Sequence, residues 1–595
     1  MCRIAAIVGK DYKGAAEAVV RMTDAMAHGG PDDAGLFVDE ANGVVLGHRR
    51  LSIIDLSEAG HQPMADISGQ YTISFNGEIY NYEEIRNELI QLGYSFRSHS
   101  DTEVLIYGYQ HWGTDLLPRL KGMFAFILLD KIKGQLIAAR DHAGIKPLYY
   151  GQNNGSLYFS SEVRAILAAD PQWPQDEDWP VRFLAFGFIP EPFSTLQNLF
   201  HLPKASYLTY DFATTSLSIH NYIKFPFTST ITSEEVAVNQ TRIALLKAVE
   251  RHLVADVPIG VFLSGGIDSS ILTFACRKFN KGQLKTLSIY FEDEKYSEKY
   301  YQDLVVEKTG VEHVSFLVTQ QDFEEALPEI FRAMDQPSID GINSFFITRY
   351  AKQYGLKVVL SGLGADELFG GYGSFYNSNY QLVKKWRLLT KIVAAFMGSY
   401  PAKKLGYINN GCSIEEYLFN RGLFVPTDIA RVFGLSVKKV WQILGESQAD
   451  TSAVLNHGNR NSLQEQSIYM QNQLLRDSDI YSMWHSIELR VPFLDVDVIK
   501  LAHSIAPHVK FKKAQKKHLL IKAFKDELPE AIWNRQKMGF TFPFQNWFKD
   551  SHYLRTVEQN DQKLKPVRQS FDKGTLNWSR YWAQVVASER KKAVS

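Results

Sequence analysis

Two hydrophobic patterns share this chain, and one gives way to the other near residue 233. Up to about residue 205, short apolar runs at 44–48, 71–75, 123–129, 135–139 and 157–160 alternate with glycine- and asparagine-rich turns. That is the pattern of packed antiparallel sheet. Helical pieces intervene: at 83–92, Ile85, Leu89 and Leu92 share one face and Gly93 ends the segment. Residues 206–232 read as a short hairpin followed by a polar connector, and a capping box, Thr232 to Glu235, predicts a helix running to about Leu253. Beyond it the runs 258–263, 286–291, 313–317 and 357–360 are nearly all apolar, which suits strands buried on both faces of a parallel sheet. Helix-compatible segments separate them, such as 297–308 closed by Gly310. Strand, crossover and strand in repetition specify a doubly wound α/β domain whose ligands sit at the carboxyl ends of its strands. Residues 375–545 read as mostly helical, with 384–391 a solvated helix face.

At 595 residues the chain exceeds one ordinary core. The pattern divides it into an α+β domain at 2–205, a connector at 206–232, an α/β domain at 233–550 and a helical tail at 551–595. Lysine plus arginine equals aspartate plus glutamate at 65 each, so composition gives no argument for a nucleic-acid or membrane partner. Cys2, Cys276 and Cys412 are too few and scattered for a disulfide framework or a zinc site, which fits a reducing cytoplasm. No apolar run approaches the roughly eighteen residues of a membrane span, and the first apolar run is too short for a secretion signal.

Chemistry concentrates in a few strings. Removal of Met1 would leave Cys2 with a free α-amino group titrating at roughly 7.7–8.0 beside a thiol at about 8.5, so one residue supplies both nucleophile and base. Asn76-Gly77-Glu78 follows a strand; its amides suit an oxyanion hole. Arg50 with Asp101 or Glu78 offers the opposite charges that hold a free amino acid. In the second half a strand runs into Ser264-Gly265-Gly266-Ile267-Asp268-Ser269-Ser270 and then a helix, a backbone cradle for phosphate. It lacks the lysine of a γ-phosphate-transferring loop. Asp268 in such a cradle calls for Mg²⁺. A second glycine loop, Ser361-Gly362-Leu363-Gly364-Ala365-Asp366-Glu367, has the same form, and Asp366 would share the metal. Downstream, Arg535-Gln536-Lys537 brings cations to a glycine- and aromatic-rich loop.

Taken together, MCRI, GHRRLSIID, NGEIYN, SDTE, GMFAF, RDHAGIKPLYY, SGGIDSS, SGLGADELFGGY, ELRVPFLD and RQKMGF resemble the glutamine-dependent asparagine synthetases. These join an N-terminal-nucleophile glutaminase to a Rossmann-like ATP-pyrophosphatase domain. The resemblance covers Cys2 to about residue 550. It implies that Cys2 forms a thioester with glutamine, that Arg50, Asn76, Gly77, Glu78 and Asp101 hold glutamine, and that Asn76 and Gly77 form the oxyanion hole. It further implies that Ser264–Ser270 grip pyrophosphate, that Ile289, Ser361 and Gly362 contact adenosine, that Asp268 and Asp366 bind Mg²⁺, and that Lys537 meets the reacting phosphates. ATP would adenylate aspartate, and tunnelled ammonia would convert the adduct to asparagine with release of AMP and pyrophosphate; another carboxylate, of a sugar acid or peptide, is the alternative acceptor. A homodimer is also implied. The chain departs from the family pattern in two places. His28-Gly29-Gly30-Pro31-Asp32 lacks the family's arginine, and Leu363 replaces a glutamate whose role Glu367 or Glu488 would have to fill.

Overall fold

The computed structural model describes residues 2–279, 284–376, 380–385, 404–408, 412–447, 456–536, 538–539 and 542–592. Twelve strands build the first part: β1 (Cys2–Val8), β2 (Asp33–Asp39), β3 (Val44–Arg50), β4 (Met64–Ala65), β5 (Tyr71–Ile79), β6 (Gly122–Asp130), β7 (Gln135–Arg140), β8 (Tyr149–Asn153), β9 (Ser156–Ser160), β10 (Leu199–His201), β11 (Ser206–Asp211) and β12 (Ser216–Asn221). They form two antiparallel sheets, in the orders β10-β8-β9-β1-β3-β2 and β12-β11-β7-β6-β5-β4. The sheets pack face to face. Ile4, Ala6 and Val8 of β1 meet Ala125, Ile127 and Leu129 of β6, while Ala5 and Ile7 point oppositely, onto Ala15, Val19 and Met22 of the helix Tyr12–Ala25. Because side chains alternate along a strand, β1 reads as an unbroken apolar run and serves two cores. Helices thus cover the outer faces, and Cys2 begins a strand at the centre of its sheet.

The hairpin expected at the head of the connector does form, but it belongs to the sheet. β11 pairs along its whole length with β7, Ser206 opposite Arg140 through Asp211 opposite Gln135. Leu208 reaches the inter-sheet core, a contact that its short alternating sequence did not signal. The helix after it spans Glu234–His252, and its cap is Ser233, whose side chain accepts from the Val236 amide at 3.4 Å, not Thr232.

Five parallel strands organise the second part: β13 (Ile259–Phe262), β14 (Lys285–Tyr290), β15 (Glu312–Leu317), β16 (Val358–Leu360) and β17 (Glu488–Arg490), in the order β15-β14-β13-β16-β17. The chain winds outward from β13 through β14 to β15, then returns to place β16 on the other side of β13. The reversal lies between β13 and β16, where a doubly wound sheet opens a ligand crevice. Two expectations change. β15 is an edge strand and is largely half-exposed, not buried on both faces. The other edge is β17, three residues inside a region read as helical; so short a strand is invisible to a periodicity argument. Of the stretch 384–391, only Lys384 and Lys385 fall within the described residues, at the end of a helix Tyr380–Lys385.

The residues assigned to a tail pack as helices on the second part. Trp582 is fully buried against Phe331 and Phe548, and Arg580 donates to the Leu423 carbonyl at 2.8 Å. Buried charges join the two parts. Asp479 accepts from Arg3 at 2.8 Å and from Lys146 at 2.9 Å, and Arg3 also pairs with Glu162 at 2.6 Å. Among the described residues no helix is long and apolar enough to cross a membrane.

Candidate active sites

A small cavity of about 20 Å³ opens at the start of β1, lined by Cys2, Arg50, Gly60, Gln62, Gly77, Glu78 and Asp101 among others. Antiparallel pairing of β1 with β3 sets Cys2 opposite Arg50. The Cys2 backbone N–H donates to Asn76 Oδ1 at 3.1 Å. The other end of that amide, Nδ2, is buried without a hydrogen-bond partner among the described residues. A buried unpaired donor costs stability, and an oxyanion forming beside Cys2 would satisfy it. Burial pushes the Cys2 thiol up, against the pull of Arg50. β5 and β6 approach so closely at Gly77 that a Cβ there would lie 2.2 Å from the Met123 carbonyl.

The two acids behave differently. Burial, then the neighbouring Glu488, holds the Glu78 carboxyl well above the usual range, although Arg490 Nη2 lies 3.6 Å away. Asp101 rises only to about 6, because burial is opposed by the Ile79 amide, which donates to its Oδ2 at 2.9 Å. Asp101 is therefore the acid ionised near neutrality, the one able to hold an ammonium group. Arg50 lines the cavity but spends its guanidinium on carbonyls of the 51–60 loop, Ser57 at 3.0 Å, Ile54 at 3.3 Å and Asp55. At Gly29, where the family carries its arginine, a Cβ would lie 2.7 Å from Cγ of the buried Arg3, whose side chain fills that space.

A second, much larger cavity of about 1290 Å³ lies at the carboxyl ends of β13 and β16. Ser264, Gly266, Asp268, Ser269, Ile289, Ser361, Gly362, Leu363, Asp366 and Glu367 all line it. Adjacent parallel strands deliver both loops to one crevice, which is why strings nearly a hundred positions apart meet. The first loop closes on its own hydroxyls: Ser269 Oγ accepts from the Ser264 amide at 3.2 Å, and Ser264 Oγ from the Gly266 amide at 3.3 Å. Gly265 has φ +77°, and a Cβ there would sit 2.9 Å from Tyr301. Ser270 is not brought to the cavity. It is fully buried and donates to the Gly266 carbonyl at 2.7 Å, so it shapes the loop from beneath. Lys537 lies outside the described residues, whereas Arg535 braces the first loop by donating to the Gly265 carbonyl at 3.1 Å and pairing with Glu298 at 2.5 Å.

Sequence reasoning missed several lining residues. Lys517 Nζ lies 2.5 Å from both Asp268 Oδ2 and Asp366 Oδ1. Burial alone would lower this ammonium, but the two carboxylates outweigh it and raise it. Lys513 and Lys516 line the cavity as well, and nothing local in this lysine-rich segment marks Lys517 as the one that meets both carboxylates. Arg421 lines the same cavity, paired with Glu465 at 2.7 Å and stacked on Tyr469 at 3.8 Å. Glu465 and Tyr469 sit on a π-helix, Glu465–Leu475, a form that periodicity does not reveal. Of the two stand-ins for the family glutamate, Glu367 lines the cavity with Leu363 and accepts from the Tyr372 hydroxyl at 2.6 Å; burial and Asp366 raise it to about 7. Glu488 does not line it: it is fully buried and bound to Arg490 Nε at 2.5 Å. In the segment 335–343, Asp335 accepts the Val163 and Arg164 amides at 2.9 Å, away from the cavity, while Asp340 and Asn343 face it.

Asp268 and Asp366 fit a Mg²⁺ site: their oxygens converge on one point beside a phosphate cradle, and Mg²⁺ is commonly held by one or two carboxylates plus substrate phosphates.

Residues 1–223 match the glutamine amidotransferase domain and residues 240–578 match asparagine synthase. The chain is 35% identical to asparagine synthetase [glutamine-hydrolyzing] 1 of Bacillus subtilis, over 92% of this chain and 87% of that protein. It is 32% identical to a putative asparagine synthetase [glutamine-hydrolyzing] of Mycobacterium bovis, over 93% and 89%, and 29% identical to amidase chry2 of Gibberella zeae, over 91% and 87%. An amidotransferase half, a synthetase half and full-length relatives lead to one conclusion: the chain is an enzyme of the glutamine-hydrolysing asparagine synthetase family.

Proposed function

We propose that this enzyme moves the side-chain nitrogen of glutamine onto the side-chain carboxylate of aspartate, activated by ATP as an acyl-adenylate. The observation that carries this reading is the pairing of two cavities in one chain, a thiol beside an unpaired amide donor in one and two glycine loops with converging carboxylates in the other. Once Met1 is removed, the nitrogen now bound to Asn76 becomes the α-amine of Cys2, placed to take the thiol proton. The thiolate attacks the glutamine amide, Asn76 Nδ2 and Gly77 receive the oxyanion, and the amine returns its proton to the leaving ammonia. Asp101 holds the ammonium of the substrate, and Arg50, released by the loop, its carboxylate.

In the second cavity the Ser264–Ser269 loop exchanges its internal hydroxyl bonds for phosphate oxygens, and Ile289 with Ser361 and Gly362 receives adenosine. Asp268 and Asp366 would hold Mg²⁺, which when bound neutralises the charge developing on the leaving pyrophosphate. Lys537 is the further cation of this reading. Glu367, poised near neutrality and oriented by Tyr372, is the group beside Leu363 able to take a proton from ammonia as it adds to the adenylate. Ammonia must pass between the cavities out of bulk water, where it would protonate.

A second reading keeps the chemistry and changes the acceptor. Phe186, Ile339, Leu363, Leu423 and Trp578 give the large cavity an apolar wall beyond what aspartate needs, and it favours a larger carboxylate. Incubation with glutamine, ATP, Mg²⁺ and aspartate separates the two: asparagine, AMP and pyrophosphate in equal amounts support aspartate. Glutaminase activity without asparagine overturns it. Light scattering checks the homodimer.

A further inference from the structure

Three features make the Lys517 contact a built site and not a chance approach. First, its members come from distant segments: Asp268 from the helix Ile267–Phe279, Asp366 from the helix Ala365–Phe369, and Lys517 from the cap of His518–Ala523. Second, Lys517 adopts φ +54°, a left-handed backbone that a side chain with a Cβ enters at a cost. The strain is tolerated at the one residue whose side chain must reach both carboxylates. Third, a glycine makes room. A Cβ at Gly371 would lie 1.5 Å from Asp366 Oδ1 and 2.7 Å from Lys517 Cε.

The ammonium occupies the point toward which both carboxylates turn, the point a divalent cation would need. Lys517 is 4% exposed. Two carboxylates turned toward one point, each about a fifth exposed, repel each other unless a cation lies between them. A metal ion that arrives alone must displace the ammonium and leave it without an anion. A metal ion that arrives with ATP brings phosphate oxygens, and the displaced ammonium gains new partners as it leaves the old ones.

We propose that Lys517 is the resident counter-cation of the nucleotide site. It holds Asp268 and Asp366 together in the empty enzyme, excludes free divalent metal, and passes to the phosphates when metal enters with ATP. Lys517 is then a positioning residue that couples metal binding to nucleotide binding. The proposal rests on the reading of this cavity as a metal–ATP site.

Titration with Mn²⁺, followed by water-proton relaxation enhancement, which separates protein-bound metal from metal held by ATP in solution, tests both without relying on turnover. The wild-type enzyme is expected to bind Mn²⁺ at least about tenfold more tightly with ATP present than without it. Lys517→Met, with the two carboxylates uncovered, is expected to bind Mn²⁺ alone more tightly than wild type by a similar factor, and Mn²⁺ is expected to recover the melting temperature that the substitution lowers. Lys517→Arg, which keeps the charge, is expected to keep free Mn²⁺ out. Equal wild-type affinity with and without ATP overturns the proposal even if Lys517→Met fails to fold, as does a folded Lys517→Met with no gain in affinity for Mn²⁺ alone. Failure of wild type to bind Mn²⁺ in the presence of ATP overturns the metal–ATP reading itself.

Discussion

At the residue scale, the first site turns on how one side-chain amide is divided. Asn76 uses its oxygen to fix the Cys2 nitrogen, and its buried NH₂ has no partner among the described residues. Asn76→Ala is expected to lower glutamine-driven turnover by about 10²–10³, while product formed from added ammonium salt changes little. Cys2→Ala is expected to abolish glutamine-driven product and spare the ammonia-driven reaction; joint loss of both would mean that the two sites are not separable. Asp101 gives the pH behaviour. The folded enzyme holds its proton more tightly than the unfolded chain does, so ionising it costs stability as pH rises through about 6. A bound ammonium offsets that cost. Glutamine is therefore expected to raise the melting temperature of Cys2→Ala more at about pH 8 than at about pH 5, and the wild-type KM for glutamine to rise as pH falls through about 6. A flat profile in both measurements would remove Asp101 from the site.

At the scale of elements, strand ends place the chemistry. The two glycine loops follow β13 and β16, neighbours across the reversal of the sheet, so the crevice is a consequence of winding order. Gly265 shows how tightly the first loop is specified: its positive φ and the contact with Tyr301 both exclude a side chain. Gly265→Ala is expected to cost about 1–2 kcal/mol for the backbone alone and to weaken ATP-dependent pyrophosphate release, with glutaminase activity kept. These loops were legible in the sequence because apolar strand, glycine pair and carboxylate are contiguous. β17 was not, although its Arg490 carbonyl accepts from the Ser361 amide at 2.9 Å and its side chain faces Glu78. Three residues carry no period, and their strand identity comes from pairing with β16.

At the scale of the whole molecule, the two parts are joined by charges buried away from the surface. Asp479 sits between Arg3 and Lys146, each at most 1% exposed. Neutralising Asp479 leaves Lys146 buried without its carboxylate and Arg3 with Glu162 alone. Asp479→Asn is expected to cost about 3–5 kcal/mol, read as a lower urea midpoint, and to reduce glutamine-driven amidation more than ammonia-driven amidation. An unchanged midpoint would show that this junction does not hold the parts together. Arg490 adds a second link, touching Glu78 of the first cavity with its side chain and Ser361 of the second through its backbone.

What the sequence determined by itself is whatever rests on contiguous residues: the two sheet grammars, the terminal thiol, the glycine loops and their carboxylates, and with them the family. Local strings suffice there because strand period, turn geometry and phosphate cradles are short-range physics. The features settled by packing alone involve partners far apart in the chain. Packing made Lys517 and Arg421 part of the second cavity, turned Ser270 away from it, chose Glu367 over Glu488 beside Leu363, and set Asp101 apart from Glu78. Each of these depends on burial and on which charge lies nearby, and neither is written in a residue's own neighbours along the chain.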